Sequence, residues 1–235
     1  MTQLENLKDT MLIRDRVYDA LRREILSGGF APGEALNILG ISKQMGVSCA
    51  PVREALNMLS KDGLVDLMPY KKASVAAGTD ADYKTAFDLR LMLEPYALLQ
   101  SIDKIPASEI RAMELMLDRD CQQVVNVPDF YASDNIFHQM LYQYTDSKLL
   151  TSTLDHIRTY TMRYFTRRFD MIVEAKRLHY MDNSYDQIRT IQDEFREHYD
   201  ILQAVKERDG QRAAALLKDH ISMNSSYVGS GESQQ

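Results

Sequence analysis

Ser48-Cys49-Ala50-Pro51-Val52-Arg53-Glu54-Ala55-Leu56-Asn57-Met58-Leu59-Ser60-Lys61-Asp62-Gly63 is the stretch on which the fold turns. Ser48 can cap a helix, Pro51 stands in its first turn where a missing N–H does no harm, and Gly63 follows Asp62 as a C-cap residue. Val52, Leu56 and Leu59 give that helix a core face. Upstream, Leu36 to Met45 is a short helical stretch closed by Gly46, and Ala31-Pro32-Gly33-Glu34 is a turn. Residues 11–27 carry Ile13, Val17, Leu21, Ile25 and Leu26 at helical spacing, ended by Gly28-Gly29. Downstream, Leu64 to Leu67 and Ala73 to Ala76 read as two short strands around Pro69-Tyr70-Lys71-Lys72. Three helices plus a basic-tipped hairpin is a winged helix-turn-helix arrangement.

A helix of this length fits a major groove, with its N-terminal turn of Ser48, Cys49, Ala50 and Pro51 facing the duplex. First-turn N–H groups can meet a phosphate, Arg53 can reach a guanine edge or a phosphate, and Lys71 and Lys72 suit phosphate or minor-groove contact. The competing reading is a mere packing unit, with Arg53 a solvated helix residue.

The 235 residues are 45% apolar and 26% charged, enough apolar content for real cores and too much for disorder. No apolar run nears the roughly 20 residues of a membrane span, and no export signal opens the chain; a soluble, cytoplasmic protein without membrane partners is the expectation. Cys49 and Cys121 lack Cys-x-x-Cys spacing, so neither a disulfide framework nor a zinc finger is supported; Cys49 at a helix start could alternatively be a redox-sensitive thiol. Net charge is −6, unevenly placed: residues 11–78 carry nine Lys/Arg against seven Asp/Glu, whereas 79–235 carry eighteen against twenty-five. A mildly basic head and an acidic body follow, the boundary falling so that 1–78 is the head, 79–228 the body and 229–235 a flexible tail.

The body reads as about six antiparallel helices: Thr79-Asp80 to Ile102, one from Ala107-Ser108, one from Pro128-Asp129, then segments near 147–168, 185–207 and 211–227, with a longer link near 169–184. The fold class is therefore mainly α. Asp134 and His138, four apart, share one helix face. His198 and His220 are centred on residue 209, in the turn Arg208-Asp209-Gly210, so an antiparallel hairpin sets both imidazoles at one height. Packed beside the third helix, one carboxylate and three imidazoles would converge, a donor set for Zn²⁺, Ni²⁺, Mn²⁺ or Fe²⁺. The alternative is ordinary hydrogen-bonded or exposed histidines, as His156 and His179 are read; Arg167 and Arg168 are read as surface residues.

Segments Ile25-Leu26-Ser27-Gly28-Gly29-Phe30-Ala31-Pro32-Gly33-Glu34, Gly46-Val47-Ser48, Pro51-Val52-Arg53-Glu54-Ala55-Leu56 and Asp62-Gly63-Leu64-Val65 closely resemble the GntR family of bacterial transcription regulators. Asp88-Leu89-Arg90 with Glu94 resembles the opening helix of the FCD ligand-binding domain in its FadR subfamily, a resemblance spanning about residues 11–228. It implies a homodimer on a short palindromic DNA operator, retuned by a small molecule, and a metal held by an Asp and three His at the positions of Asp134, His138, His198 and His220. Departures stand out: Cys49 and Ala50 replace the usual Arg and Thr, Ile38-Leu39-Gly40 replaces polar residues of the second helix, and the wing lacks its Gly near Lys72. An open coordination position would attract a carboxylate effector, with Arg90, Arg163 and Tyr160 as candidate anchors. Two rivals remain: a metal-dependent enzyme acting on a small organic or sugar acid, against which no general-base Glu is identifiable, and a metalloregulator sensing the cation itself.

Overall fold

The computed structural model describes residues 12–68, 72–122, 127–162 and 191–225, and the chain divides into two units, Met1–Ala77 and Gly78–Gln235. Lys71, Arg163, Arg167, Arg168, His179, the 169–184 link and the 229–235 tail lie outside the described residues.

In the first unit the helices are α1 (Ile13–Leu26), α2 (Ile38–Met45) and α3 (Cys49–Lys61), followed by β1 (Val65–Asp66) and β2 (Ser74–Val75). Val17, Leu21 and Ile25, four residues apart on α1, are buried against Val52, Ala55, Leu56 and Leu59 of α3. Each such side chain removed from water contributes roughly 1.5–3 kcal/mol, which makes this seam the centre of the unit. Asn37 caps α2 by accepting the Gly40 N–H at 3.2 Å. Gly46 ends α2 at φ +65, a left-handed conformation that a side chain resists, and so sets the turn into α3.

The strands pair antiparallel, Val65 opposite Val75 and Asp66 opposite Ser74. They are shorter than the sequence reading, because the chain before α2 shares the pairing. Gly33 N–H donates to Val75 O, Val75 N–H to Glu34 O, and Leu36 N–H to Ala73 O. The turn at 31–34 is thereby stitched to the wing.

The second unit is six helices among the described residues: α4 (Asp80–Ser101), α5 (Ala107–Gln122), α6 (Val127–Tyr142), α7 (148–162), α8 (Ile191–Lys206) and α9 (Gly210–Ser225). A capping box starts α4: Thr79 Oγ1 accepts the Asp82 N–H at 3.1 Å while Asp82 Oδ2 accepts the Thr79 N–H at 3.0 Å. The helix runs through Pro95, which is buried and gives up one backbone bond; burial of Phe87, Ala97 and Leu98 on the same helix outweighs that loss. Helix α4 packs on α6 and α9, α8 on α5 and α9, and α5 on α6, around Phe87, Leu98, Leu117, Phe137, Ile201 and Leu217. The α8–α9 turn is fastened to the end of α4, with the Arg208 guanidinium donating to Ile102 O and, at 2.7 Å, to Ile105 O. No helix among the described residues is long and apolar enough to cross a membrane.

Candidate metal centre and nucleic-acid interface

Helix α3 buries one face and leaves Ala50, Arg53, Glu54, Asn57 and Lys61 exposed as a continuous stripe. Ser48 occupies the N-cap in extended conformation and is exposed, but its side chain makes no capping bond, in contrast to the sequence reading. The hydroxyl is thus available to something outside the helix. Cys49 and Pro51 are half-buried, with Cys49 Sγ 3.5 Å from Ser42 Oγ, and both cysteines are free thiols. Lys72 is exposed beside the wing tip. Asn57, one turn beyond Arg53 on the same stripe, is a polar candidate that the sequence reading did not single out; its i, i+4 relation to Arg53 was the available signal.

In the second unit Asp134 and His138 of α6, His198 of α8 and His220 of α9 come together, all buried. One ligand atom from each lies within 4.8 Å of the others. His138 Nε2 is 3.2 Å from His220 Nε2 and 3.5 Å from Asp134 Oδ1, which is 3.5 Å from His198 Nε2. Ligand atoms bonded at about 2.0–2.1 Å to a tetrahedral cation sit roughly 3.3 Å apart, so these edges match a first-row divalent metal.

Glu94 and Glu197 back two of the imidazoles: Glu94 Oε2 is 2.7 Å from His138 Nδ1, and Glu197 Oε2 is 2.7 Å from His220 Nδ1. An imidazole donating Nδ1–H to a carboxylate keeps the Nε2 lone pair for the cluster centre. These two glutamates correct the expectation that no Glu stands near, although both face the outer nitrogens and orient ligands rather than face the centre. His198 is held differently, its ring stacked on Phe137 at 4.3 Å between centroids. Its Nε2 is buried without a hydrogen-bond partner. A buried nitrogen left unpaired costs about 1–3 kcal/mol, and a bound cation removes that penalty.

Arginines complete the shell. Arg90 Nε donates to Glu94 Oε1 at 2.5 Å, and Arg158 of α7 donates to Asp134 Oδ2 at 3.1 Å. Arg158 Nη1 is buried without a hydrogen-bond partner, 3.5 Å from Glu94 Oε1. Burial opposes the charge on Asp134 and Glu94, but neighbouring imidazoles and guanidiniums outweigh it and hold both carboxyls well below their usual range. Burial pushes the His198 imidazole down to about 4, favouring the neutral form that a metal needs. Arg90, expected as an effector anchor, is buried and already committed to Glu94. Tyr160 is half-buried on α7, its ring edge-on to exposed His156; two residues beyond Arg158 it points about 200° around the helix from the arginine that reaches the cluster. Arg158 itself escaped the sequence reading.

Comparison with known proteins agrees with this architecture. The FCD domain matches residues 85–223, and the family described as bacterial regulatory proteins, gntR family, matches residues 13–71. Over 223 residues the chain is 26% identical to the HTH-type transcriptional repressor RspR of Escherichia coli K12, covering 94% of this chain and 91% of that one. It is also 26% identical over 214 residues to the regulator YdhC of Bacillus subtilis, covering 90% and 88%. Among solved structures, E. coli McbR/YncC superposes with a TM-score of 0.78 at 16% identity, over 93% of this chain and 98% of that one. A GntR regulator from Rhodococcus sp. RHA1 gives 0.66 at 21%, over 92% and 96%; these two likenesses concern the fold alone. With a DNA-reading head and an FCD body matched in order along one chain, this protein is a transcriptional regulator of the GntR family, FadR subfamily, and not an enzyme.

Proposed function

We propose that the chain acts as a homodimeric repressor whose hold on a palindromic operator is set by a small carboxylate effector, read beside a divalent transition metal on Asp134, His138, His198 and His220. The unpartnered, buried Nε2 of His198, facing a carboxylate and two oriented imidazoles, is the observation that carries the metal. When bound, such a cation supplies a Lewis-acidic position for a carboxylate oxygen. Arg158 is the residue that supports an anion most directly, since its Nη1 is buried and lacks a partner. In the head, the stripe of Arg53 and Asn57, with Ser48 at the helix start and Lys72 near the wing, supports groove and phosphate contacts. The repressor sense follows the name of one relative, RspR.

A ligand that binds both dimer states equally shifts nothing, so the effector must favour one arrangement of the heads. The test is metal analysis of purified protein and operator binding by fluorescence anisotropy, with and without metal and carboxylate probes. The expected result is one metal per chain, abolished by His198→Ala, and operator affinity that moves with the carboxylate only when metal is present. Metal-free wild type that takes up no Zn²⁺, Ni²⁺, Mn²⁺ or Fe²⁺ refutes the centre. Operator affinity that follows metal alone refutes the effector and leaves a sensor of the cation.

A further inference from the structure

Helix α4 changes chemistry along its outer face. In its first half Lys84 and Thr85 are exposed; in its second half Met92 is 62% exposed, Tyr96 56% and Leu99 39%, spaced as one stripe. Beside this stripe runs a groove of about 610 Å³ between α4 and the start of α7, lined by Leu93, Tyr96, Gln100, Leu149, Leu150 and Thr153 among others. Leu149, at 78%, is more exposed than any other large apolar side chain among the described residues. Asp146, the one charged residue lining the groove, is paired with Lys104 Nζ at 2.6 Å.

We infer that this face is where two copies of the chain join. An apolar centre with Tyr and Met, rimmed by Gln100, Thr145 and Ser147 and carrying no free charge, has the make-up of a protein interface core and offers nothing to a nucleic acid or a charged peptide. It is also self-complementary in kind. A protruding Leu149 beside a groove is what a two-fold axis can use twice, each copy's leucine meeting the other's groove. The areas agree: the four exposed side chains present roughly 450 Å² of surface per copy, about 900 Å² for two. At the usual apolar share of about 57–65%, that implies an interface of roughly 1,400–1,600 Å², the standard size for a stable complex. The choice of a second copy rests on the palindromic-operator reading, which needs two heads.

Sedimentation of the full chain at micromolar concentration tests it. Wild type should run at twice 27.0 kDa. Tyr96→Glu and Leu149→Glu should run as monomers, their dimer dissociation constants raised at least about 100-fold, with helicity and metal content unchanged. Leu115→Glu, at a residue 65% exposed on α5, should stay dimeric. If the variants lose helicity, hydrogen exchange of wild type diluted through its own dissociation constant reads the same surface: amides of residues 92–100 and 148–153 should lose protection. A monomeric wild type, two charge variants that remain dimers, dissociation by Leu115→Glu alone, or unchanged amides on dilution each overturn the interface. A wild-type dimer that ignores every DNA fragment would sink the regulator reading while leaving this surface intact.

Discussion

Replacing Glu94 by Gln probes the buried network at its most connected point. The Glu94 carboxylate is 1% exposed and meets Arg90 Nε at 2.5 Å, His138 Nδ1 at 2.7 Å and Arg158 Nη1 at 3.5 Å. Gln is nearly isosteric, so no cavity forms; what disappears is a negative charge between two buried guanidiniums. Breaking a buried ion pair from one side typically destabilises by about 3–5 kcal/mol. For a unit of this size each kcal/mol lowers Tm by roughly 2–4 °C, so Glu94→Gln should melt about 6–20 °C below wild type. Because the same carboxylate orients His138, metal affinity should fall about 10–100-fold. The pH dependence has a definite sign. A carboxyl held below its usual range in the fold stabilises above its unfolded value, and that stabilisation is lost only as pH falls toward the folded value. The gap between wild type and variant should therefore be flat from about pH 5.5 to 9 and close only in stronger acid. Scanning calorimetry of metal-free proteins across that range gives the answer. A variant melting within about 2 °C of wild type would show the guanidiniums to be satisfied elsewhere, and the electrostatic account would fail.

Arg208 holds the α8–α9 turn to the end of α4 through Ile102 O and Ile105 O while adopting φ 59 itself. Arg208→Ala should destabilise by about 2–4 kcal/mol in urea unfolding, since charge-assisted bonds contribute about 1.5–3 kcal/mol each; a loss under 0.5 kcal/mol would contradict the clamp. His198, pushed down to about 4 by burial, stays neutral in the fold while its unfolded counterpart takes a proton near 6.5. Stability of the metal-free protein should thus decline as pH falls from about 6.5 to 4, by roughly 3 kcal/mol, and His198→Asn should flatten that decline. An equal slope in both proteins would assign it to other groups.

The winged head was legible because its signals are local: Gly46, Pro51 and the Val52, Leu56, Leu59 spacing act within one or two turns of the chain. The midpoint of His198 and His220 at residue 209 was legible for a similar reason, since one tight turn fixes the register of α8 on α9, and their rings stand 4.7 Å apart. The supporting shell was not. Glu197 is adjacent to His198 in sequence yet serves His220, because neighbours on a helix point about 100° apart and only the packing of α9 decides which imidazole each meets. Arg158 looked like any surface arginine, and full burial of that side chain depends on carboxylates from α4 and α6. Ser48 held the capping position without making the bond, a distinction of rotamer that composition does not carry.

The charge pattern of the cluster constrains what else it binds. Glu94 and Asp134 against Arg90 and Arg158 cancel while the imidazoles are neutral. A divalent cation added there leaves two surplus positive charges in a buried setting, where unit charges about 4 Å apart still interact by about 4 kcal/mol at an effective dielectric of about 20. Anion and metal must then assist each other, and by linkage the factor is the same in both directions. Saturating acetate should tighten Zn²⁺ binding at least about tenfold, and Zn²⁺ should tighten acetate binding by that same factor in calorimetric titrations. Acetate that binds equally with and without metal would mean that the guanidiniums alone recognise it. The cation would then be a structural staple of α6, α8 and α9 rather than part of the signal.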